Sequence, residues 1–357
     1  MADFEKLLGV GTRIYNGKIK ETKDKDGKVI ANDEMALKKL VNEAYAEDCS
    51  VKSMEKVRTL NRLIIETIDK THNPNYEQVI KGLADYNTAG RNDAKFYKID
   101  KNRLKVKFYL SATGTGVDFN RIAKESDKKM AIPFNHQLGV RYEISEMVSD
   151  PVNYFKKVVD LLYEAKIKYI HDKMIAMAKK ASTTGEIPAT QVFNNTNMTL
   201  DDYRKIESVM IRHGGNKMPV LFADLAFINT LADKQAAATA TTAGTFAKYL
   251  TDDLRESLLK DILIEQVSRS IAVPIINEFT NTNHNATDLS VQDAILIASG
   301  KEKAFQVTEF GGARYITEEM DIENEMCDIK SDFKMDITLL YGENIAYLHD
   351  DSVTYTF

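Results

Sequence analysis

The most regular pattern of apolar and polar positions lies in the middle of the chain. Apolar side chains recur at helical spacing from Phe155 to Tyr169, and most positions between them are polar or charged. Asp150-Pro151 precedes the pattern, and Asp suits an N-cap while Pro suits the first helical position. The pattern predicts a helix over Pro151–Lys180, roughly 45 Å long at 1.5 Å per residue. This is longer than a typical domain helix.

The first hundred residues also predict helices. One begins at a cap on Asn32 or Asp33, because a short polar side chain accepts the N–H groups of an opening turn. A second covers Val51–Ile68, where apolar residues share one face. A third, short helix is predicted over Tyr76–Tyr86. We therefore expect a helical N-terminal segment over residues 1–100.

The next region predicts two strands joined by a long arm. Leu104–Leu110 alternates between apolar and polar residues, which is typical of a strand with one buried face. The return strand is predicted at Val140, Tyr142 and Ile144. The polar connection between them is rich in basic residues. A connection of this length is either disordered or reaches outside its own domain.

The second half of the chain alternates helices with short strands. Thr199 starts a helix-capping signal, and Gly214 is predicted to end that helix in the left-handed conformation. A short helix over Asp224–Lys234 and a loop over Gln235–Gly244 are then expected. Strands are predicted at Met218–Ala223, Ile262–Gln266, Ile271–Ile276, Ala294–Ala298, Lys303–Phe310, Ala313–Thr317, Phe333–Tyr341 and Asn344–Leu348. Without a regular βαβα rhythm, the chain is predicted to be α+β.

Composition excludes several classes of protein. The chain has 357 residues, 43% of them hydrophobic, with 48 basic and 53 acidic residues and a net charge of −5. Its apolar runs are far shorter than the ~18 residues of a membrane span. The two cysteines are distant, which argues against a disulfide framework or a zinc knuckle. The charge balance argues against a protein that grips nucleic acid with its whole surface.

The search for chemical motifs predicts no catalytic, cofactor-binding or metal site. There is no Walker-A motif, nucleophile elbow or paired-histidine motif. His349-Asp350-Asp351 has side chains that could bind a cation, but we interpret it as a solvated turn. The acidic run over Glu318–Asp328 is interpreted as a solvated face or one that meets a basic arm, within or between chains. The inter-subunit contact candidates are Arg121, Lys124, Lys128, Lys129, Glu318, Glu319, Asp321, Glu323 and Glu325.

The order of these elements resembles the tailed-bacteriophage major capsid protein with the Hong Kong 97-like coat fold. That family has an N-terminal arm, an extended E-loop, a peripheral domain with a long spine helix, and an axial domain. The resemblance implies a 1–100 N-terminal arm or helical segment, a 101–148 E-loop hairpin, a 149–218 peripheral domain with the spine helix, a 219–312 axial domain, and 313–357 return strands. The N-terminal hundred residues are either an elaborated arm or a scaffolding segment of the kind that some relatives remove.

The resemblance implies a coat protein that self-assembles into pentamers and hexamers of an icosahedral head around double-stranded DNA. Scaffolding, portal and decoration proteins are expected partners. The expected location is the virion, and the host cytoplasm before assembly. Such a protein is not an enzyme. The alternatives are an encapsulin-like nanocompartment shell, a soluble α+β hydrolase that uses the acidic run, and a phage tail component.

Overall fold

The computed structural model describes residues 2–23, 29–69, 81–100, 126–241, 266–275, 277–321 and 324–354. Its helices are α1 (Ala2–Tyr15), α2 (Asp33–Ala44), α3 (Met54–Asp69), α4 (Ile144–Ser149), α5 (Pro151–Thr184), α6 (Leu200–His213) and α7 (Leu225–Thr241). Its first strands are β1 (Glu21–Lys23), β2 (Val29–Asn32), β3 (Ala84–Ala89), β4 (Lys95–Asp100), β5 (Ser126–Ala131), β6 (Phe134–Glu143) and β7 (Val192–Asn195). Those that follow are β8 (Val220–Ala223), β9 (Gln266–Val267), β10 (Ser270–Pro274), β11 (Asp293–Ile297), β12 (Phe305–Phe310), β13 (Arg314–Asp321), β14 (Met326–Leu339) and β15 (Ile345–Asp350). The mixture confirms the predicted α+β class.

The predicted long helix is α5. The Asp150 side chain accepts a hydrogen bond from the backbone N–H of Asn153, and Pro151 occupies the first turn. The helix runs for 34 residues, roughly 51 Å. It ends at Gly185, whose φ of +79° is a left-handed conformation that glycine adopts without a steric cost. The sequence therefore located this helix correctly and placed its end four residues early.

Two larger sheets pack against this helix. In the first, the strand order is β7-β15-β11-β8-β10-β9. The second is organised by β14, which pairs with β12 and β13 along one side and with β6 along the other, while β3 pairs with β12. Alternate residues of β14 are buried, as the predicted period of two requires. Two separate hairpins, β1–β2 and β4–β5, complete the described strands.

The N-terminal helices belong to the same hydrophobic core as α5 and β14. A buried chain of polar groups also connects them to the second sheet. The Tyr45 hydroxyl lies 2.7 Å from that of Tyr142, and Tyr142 donates to Asn61 Oδ1 at 2.8 Å. Asn61 Nδ2 in turn donates to Cys327 Sγ at 3.6 Å. Residues after α2, in α3, in β6 and in β14 are thus joined by one network.

Two lysines of α5 connect the helix to different parts of the molecule. Lys166 Nζ lies 2.9 Å from Glu309 Oε1 in β12, and both side chains are largely buried. Lys168 Nζ lies 2.6 Å from Glu164 Oε1 on the same helix and 3.1 Å from Asp288 Oδ2 in the loop before β11. Because two residues turn a helix by about 200°, the two lysines point to opposite sides.

Three predicted elements differ from the structure. The helix expected to reach Tyr86 is wrong at its end, since Ala84–Ala89 forms β3 in parallel register with β12. The loop expected from Gln235 is wrong as far as Thr241, because α7 continues through this segment. The segment is rich in alanine, the strongest helix former. The left-handed residues after α6 are Gly215 and Asn216, with φ of +71° and +62°, and Gly214 is not one of them.

The arm also differs from its predicted form. The strand around Val140 and Tyr142 is present as β6, but its partner is β14, and Ile144 already begins α4. The strands that precede and follow residues 101–125 are β4 and β5, and these two strands pair with each other. Three predictions fall wholly or partly outside the described residues. They are the strand Leu104–Leu110, residues 262–265 of the strand Ile262–Gln266, and residues 76–80 of the helix Tyr76–Tyr86.

Candidate functional site

The acidic run lies around the hairpin of β13 and β14. Glu318 Oε1 accepts a hydrogen bond from Arg58 Nε at 2.8 Å, and only 5% of the Glu318 side chain is exposed. Arg141 binds Asp328 through two hydrogen bonds of 2.6 and 2.7 Å. These hydrogen bonds lower the pKa of Asp328. Both carboxylates therefore serve ion pairs inside the chain, which is not the arrangement of a pair of catalytic acids.

The other acidic candidates lie nearer the tip of the hairpin. Glu319 is exposed on β13, and Glu325 is exposed in the turn with a φ of +53°. Asp321 accepts a hydrogen bond from Asn324 Nδ2 at 2.7 Å, which closes the turn. Glu323 lies outside the described residues. The run is thus divided between structural ion pairs at its base and carboxylates around its tip.

The basic candidates occupy two faces of one hairpin. Lys129 points toward the body of the protein, where its Nζ donates to the Leu339 carbonyl at 2.7 Å and to Glu186 at 2.8 Å. Lys128 points to the opposite face, because successive residues of a strand alternate. Arg121 and Lys124 lie outside the described residues. Within the described chain, Lys129 therefore meets Glu186 and not the acidic run.

The structure adds a basic residue that the sequence analysis missed. Lys98 in β4 is the direct cross-strand partner of Lys128. The alternation of Phe96, Lys98 and Asp100 with Tyr97 and Ile99 was a usable signal for a strand. It was missed because the strand's partner lies some thirty residues further on.

The His349-Asp350-Asp351 segment is not the solvated turn that we expected. Asp350 is buried and accepts hydrogen bonds from the backbone N–H groups of Asn197 and Met198 at 2.6 and 2.8 Å. Burial alone would raise the pKa of Asp350, but these bonds and those from Ser352 lower it to about 2. The segment attaches the end of β15 to the start of α6.

The described residues contain no group of three or more His, Cys, Asp or Glu side chains arranged to hold a metal ion. In the same part of the chain, no helix is both long and apolar enough to cross a membrane. Several open grooves lie on the surface of this part of the chain. One of about 520 Å³ lies over β6, β13 and β14, and its lining includes Gly139, Arg141 and Glu319.

Comparison with known proteins gives the family. A family model described as "SPbeta prophage-derived putative capsid protein YonB" matches residues 6–349. The chain belongs to the YonB family. A protein described as the SPbeta prophage-derived uncharacterized protein YonB, from Bacillus subtilis (strain 168), is 30% identical over 351 residues, 98% of each chain. The recognition of a phage capsid protein from the sequence is thereby confirmed.

Several solved structures are similar to this member of the YonB family. Microbacterium phage Oxtober96 gives a TM-score of 0.47 at 9% identity, with 74% of this chain and 89% of the other covered. The mature capsid of bacteriophage PhiM1 gives 0.43 at 11%, covering 79% and 88%. The SrpI encapsulin from Synechococcus elongatus PCC 7942 gives 0.41 at 12%, covering 81% and 90%.

The order of elements in this YonB-family chain matches the Hong Kong 97-like coat fold predicted from the sequence. Helices α1–α3 precede the antiparallel pair β4–β5, and the long helix α5 follows. Two sheets then complete the chain, in which β14 pairs with β12 and β6 while β15 pairs with β11. Membership of this family makes the chain a phage capsid protein.

Proposed function

We propose that the chain is the major capsid protein of a phage head, and that its copies form pentamers and hexamers of an icosahedral shell around double-stranded DNA. The observation that carries this proposal is the hairpin β4–β5. One face of it is anchored to the body of the protein, and the other exposes a phenylalanine and a methionine to solvent. Exposed apolar side chains that lie together on one face are typical of a surface that another protein covers.

The division of the chain into regions is part of the proposal. The N-terminal segment 1–100 is a permanent part of the subunit, since α1–α3 share a core with α5. The segment 101–148 supplies the extended loop and 149–218 the spine helix. The regions 219–312 and 313–357 form the axial domain and the return strands, with β12 joining the sheet of β14 and β15 joining that of β11.

The proposed partners follow from the role of a shell subunit. The DNA is enclosed without sequence-specific contacts, which agrees with a net charge of −5. Scaffolding, portal and decoration proteins complete the head. The chain resides in the host cytoplasm before assembly and in the virion afterwards.

Electron microscopy of the purified protein tests the proposal. Closed angular shells, or pentameric and hexameric capsomers, are the expected result. Nuclease-resistant DNA inside native particles distinguishes a phage head from an encapsulin-like compartment filled with protein. A uniform monomer or dimer under all assembly conditions would contradict the proposal. Intact mass of the subunit from native heads then tests the permanence of residues 1–100, because removal of the segment would shorten the chain.

A further inference from the structure

The hairpin β4–β5 has two chemically different faces. Tyr97 pairs with Lys129 in its register, and both point inward, where the Tyr97 hydroxyl lies 2.6 Å from Thr308 Oγ1. Ile99 lies on this inward face and is buried. Phe96 pairs with Met130, and Lys98 with Lys128, on the outward face. We call the outward residues Phe96, Lys98, Lys128 and Met130 the lysine face.

The lysine face is unfavourable in an isolated subunit. Phe96 is 65% exposed, more than any other large apolar side chain among the described residues. Lys98 and Lys128 are directly opposite, and like charges in that position repel. An apolar pair and a basic pair are thus presented together, about 7 Å apart along the strands. An apolar surface with acidic groups beside it would relieve both penalties.

A surface with these properties lies on the sheet around β14. Glu143 in β6, Met326 in β14 and Asp321 in β13 are direct cross-strand neighbours and form one row. The next row on the same face contains Arg141, Asp328 and Glu319. These two rows hold four carboxylates, one methionine and one guanidinium, and the guanidinium binds one of the four, Asp328. We call these six residues the acidic platform.

A concave spot adjoins the acidic platform. The next row of the same face places Gly139 beside Lys330 and Thr317, and the groove of about 520 Å³ lies over it. A side chain on Gly139 would meet no atom within 4 Å, so the space above it is open. The distance from this spot to the row of Glu319 is two residues, the same as from Phe96 to Lys98.

From this match we infer that the lysine face of one subunit binds the acidic platform of a second copy, with Phe96 in the groove over Gly139 and the two lysines on the carboxylates. The inference rests on the proposed shell function and specifies one of its contacts. Its occupant is a second copy because two surfaces of complementary charge are both present on this chain.

A subunit cannot make this contact with itself. Its own hairpin is anchored near Asp336 and Leu339, where Ile132 N–H donates to Asp336 and Lys129 to the Leu339 carbonyl. The platform residue Asp328 lies eight residues away on β14, roughly 26 Å at the rise of a strand. The two surfaces occupy different places on one subunit, so the contact is heterologous. Contacts of this kind build rings and larger assemblies rather than closed pairs.

Charge reversal tests the contact in the full chain. The double variant Lys98→Glu/Lys128→Glu is expected to lower the yield of shells about tenfold, because like charges then face each other. Adding Glu143→Lys and Glu319→Lys to that variant restores the attraction and is expected to recover the yield to within about twofold. The matched control Lys179→Glu/Lys301→Glu changes the charge equally at exposed lysines outside the contact.

Gly139→Leu tests the groove without changing any charged residue. The leucine fills the open space over the sheet, so the subunit folds with an unchanged thermal midpoint while shell yield falls. Wild-type shells show that the self-assembly part of the proposed function holds. If they form and the reversed or filled variants assemble equally well, the contact is wrong and the function stands. Loss of packaged DNA at unchanged shell yield would assign the lysines to nucleic acid and overturn the inference. Absence of wild-type assembly overturns both.

Discussion

Tyr142→Phe should destabilise the subunit far more than the loss of one surface hydroxyl. The Tyr142 hydroxyl is the centre of the buried chain that joins Tyr45, Asn61 and Cys327. The Tyr142 hydroxyl donates its proton to Asn61 Oδ1, so it accepts the hydrogen bond from the Tyr45 hydroxyl. The substitution therefore removes the acceptor of the Tyr45 hydroxyl and the donor to Asn61 Oδ1, both fully buried, and leaves the Tyr45 hydroxyl only the weak acceptor Cys327 Sγ. At ~1–3 kcal/mol for each such group, the expected loss is about 3 kcal/mol.

Urea unfolding of the unassembled subunit, followed by circular dichroism, measures this loss. Tyr154→Phe is the control, because the Tyr154 hydroxyl accepts a hydrogen bond from Glu143 N–H at an exposed position where water can replace it. It is expected to change the free energy of unfolding by less than about 0.5 kcal/mol.

A double-mutant cycle sharpens the reasoning. Tyr45→Phe alone leaves the bond from Tyr142 to Asn61 intact and should cost about 1 kcal/mol. Because Tyr45 and Tyr142 share a hydrogen bond, the double variant should cost less than the two single changes together. Additive effects, or a Tyr142→Phe variant as stable as the Tyr154→Phe control, would refute the network as a source of stability.

Three further predictions concern stability of the unassembled subunit. Burial lowers the pKa of His171 in α5 to about 4, so the unfolded chain binds this proton more readily and stability should fall by about 3 kcal/mol as the pH drops from about 6.5 to 4. His171→Gln should flatten that part of a pH–stability curve, whereas His284→Gln in an exposed loop should leave it unchanged. Asp350→Asn should cost about 2–4 kcal/mol at pH 7, against little for exposed Asp351→Asn, since the backbone donors of Asn197 and Met198 lose a charged acceptor. The lowered pKa of Asp350 means that the wild type keeps this contribution down to about pH 4 and loses it toward pH 2, so a constant difference between the two proteins across that range would contradict the assignment. Gly214→Ala should cost about 1–3 kcal/mol in thermal or urea unfolding, because its Cβ would lie 2.7 Å from the backbone oxygen of Ser299, and Gly139→Ala, with open space around it, should be neutral.

The features that the sequence predicted well are those set by neighbouring residues. The N-caps at Asn32, Asp150 and Thr199 and the alternation in β14 depend on local hydrogen bonds and on a period of two. Each is expressed within a few residues of sequence. The long helix α5 was found for the same reason, since its apolar spacing persists for many turns.

The features that it missed depend on distant partners. Ala84–Ala89 becomes a strand because it pairs with β12, more than two hundred residues later. The interpretation of Asp350 as solvated was wrong because its hydrogen-bond donors, the backbone N–H groups of Asn197 and Met198, lie more than 150 residues earlier in the sequence. Lys128 and Lys129 looked equivalent in the sequence, and only the pairing with β4 separates them into different faces.

The long helix would have a mechanical consequence if the proposed shell is under internal pressure. Lys166 binds α5 to β12 on one side, and Lys168 binds it to the loop before β11 on the other. The two lysines are about 3 Å apart along the helix axis, so a load passes from one sheet to the other across the helix rather than along its length. The helix deforms little under such a load, because both contacts act on the same turn. Strain from outward pressure would then collect in the connections between elements, and the rigid sheets would shift as blocks.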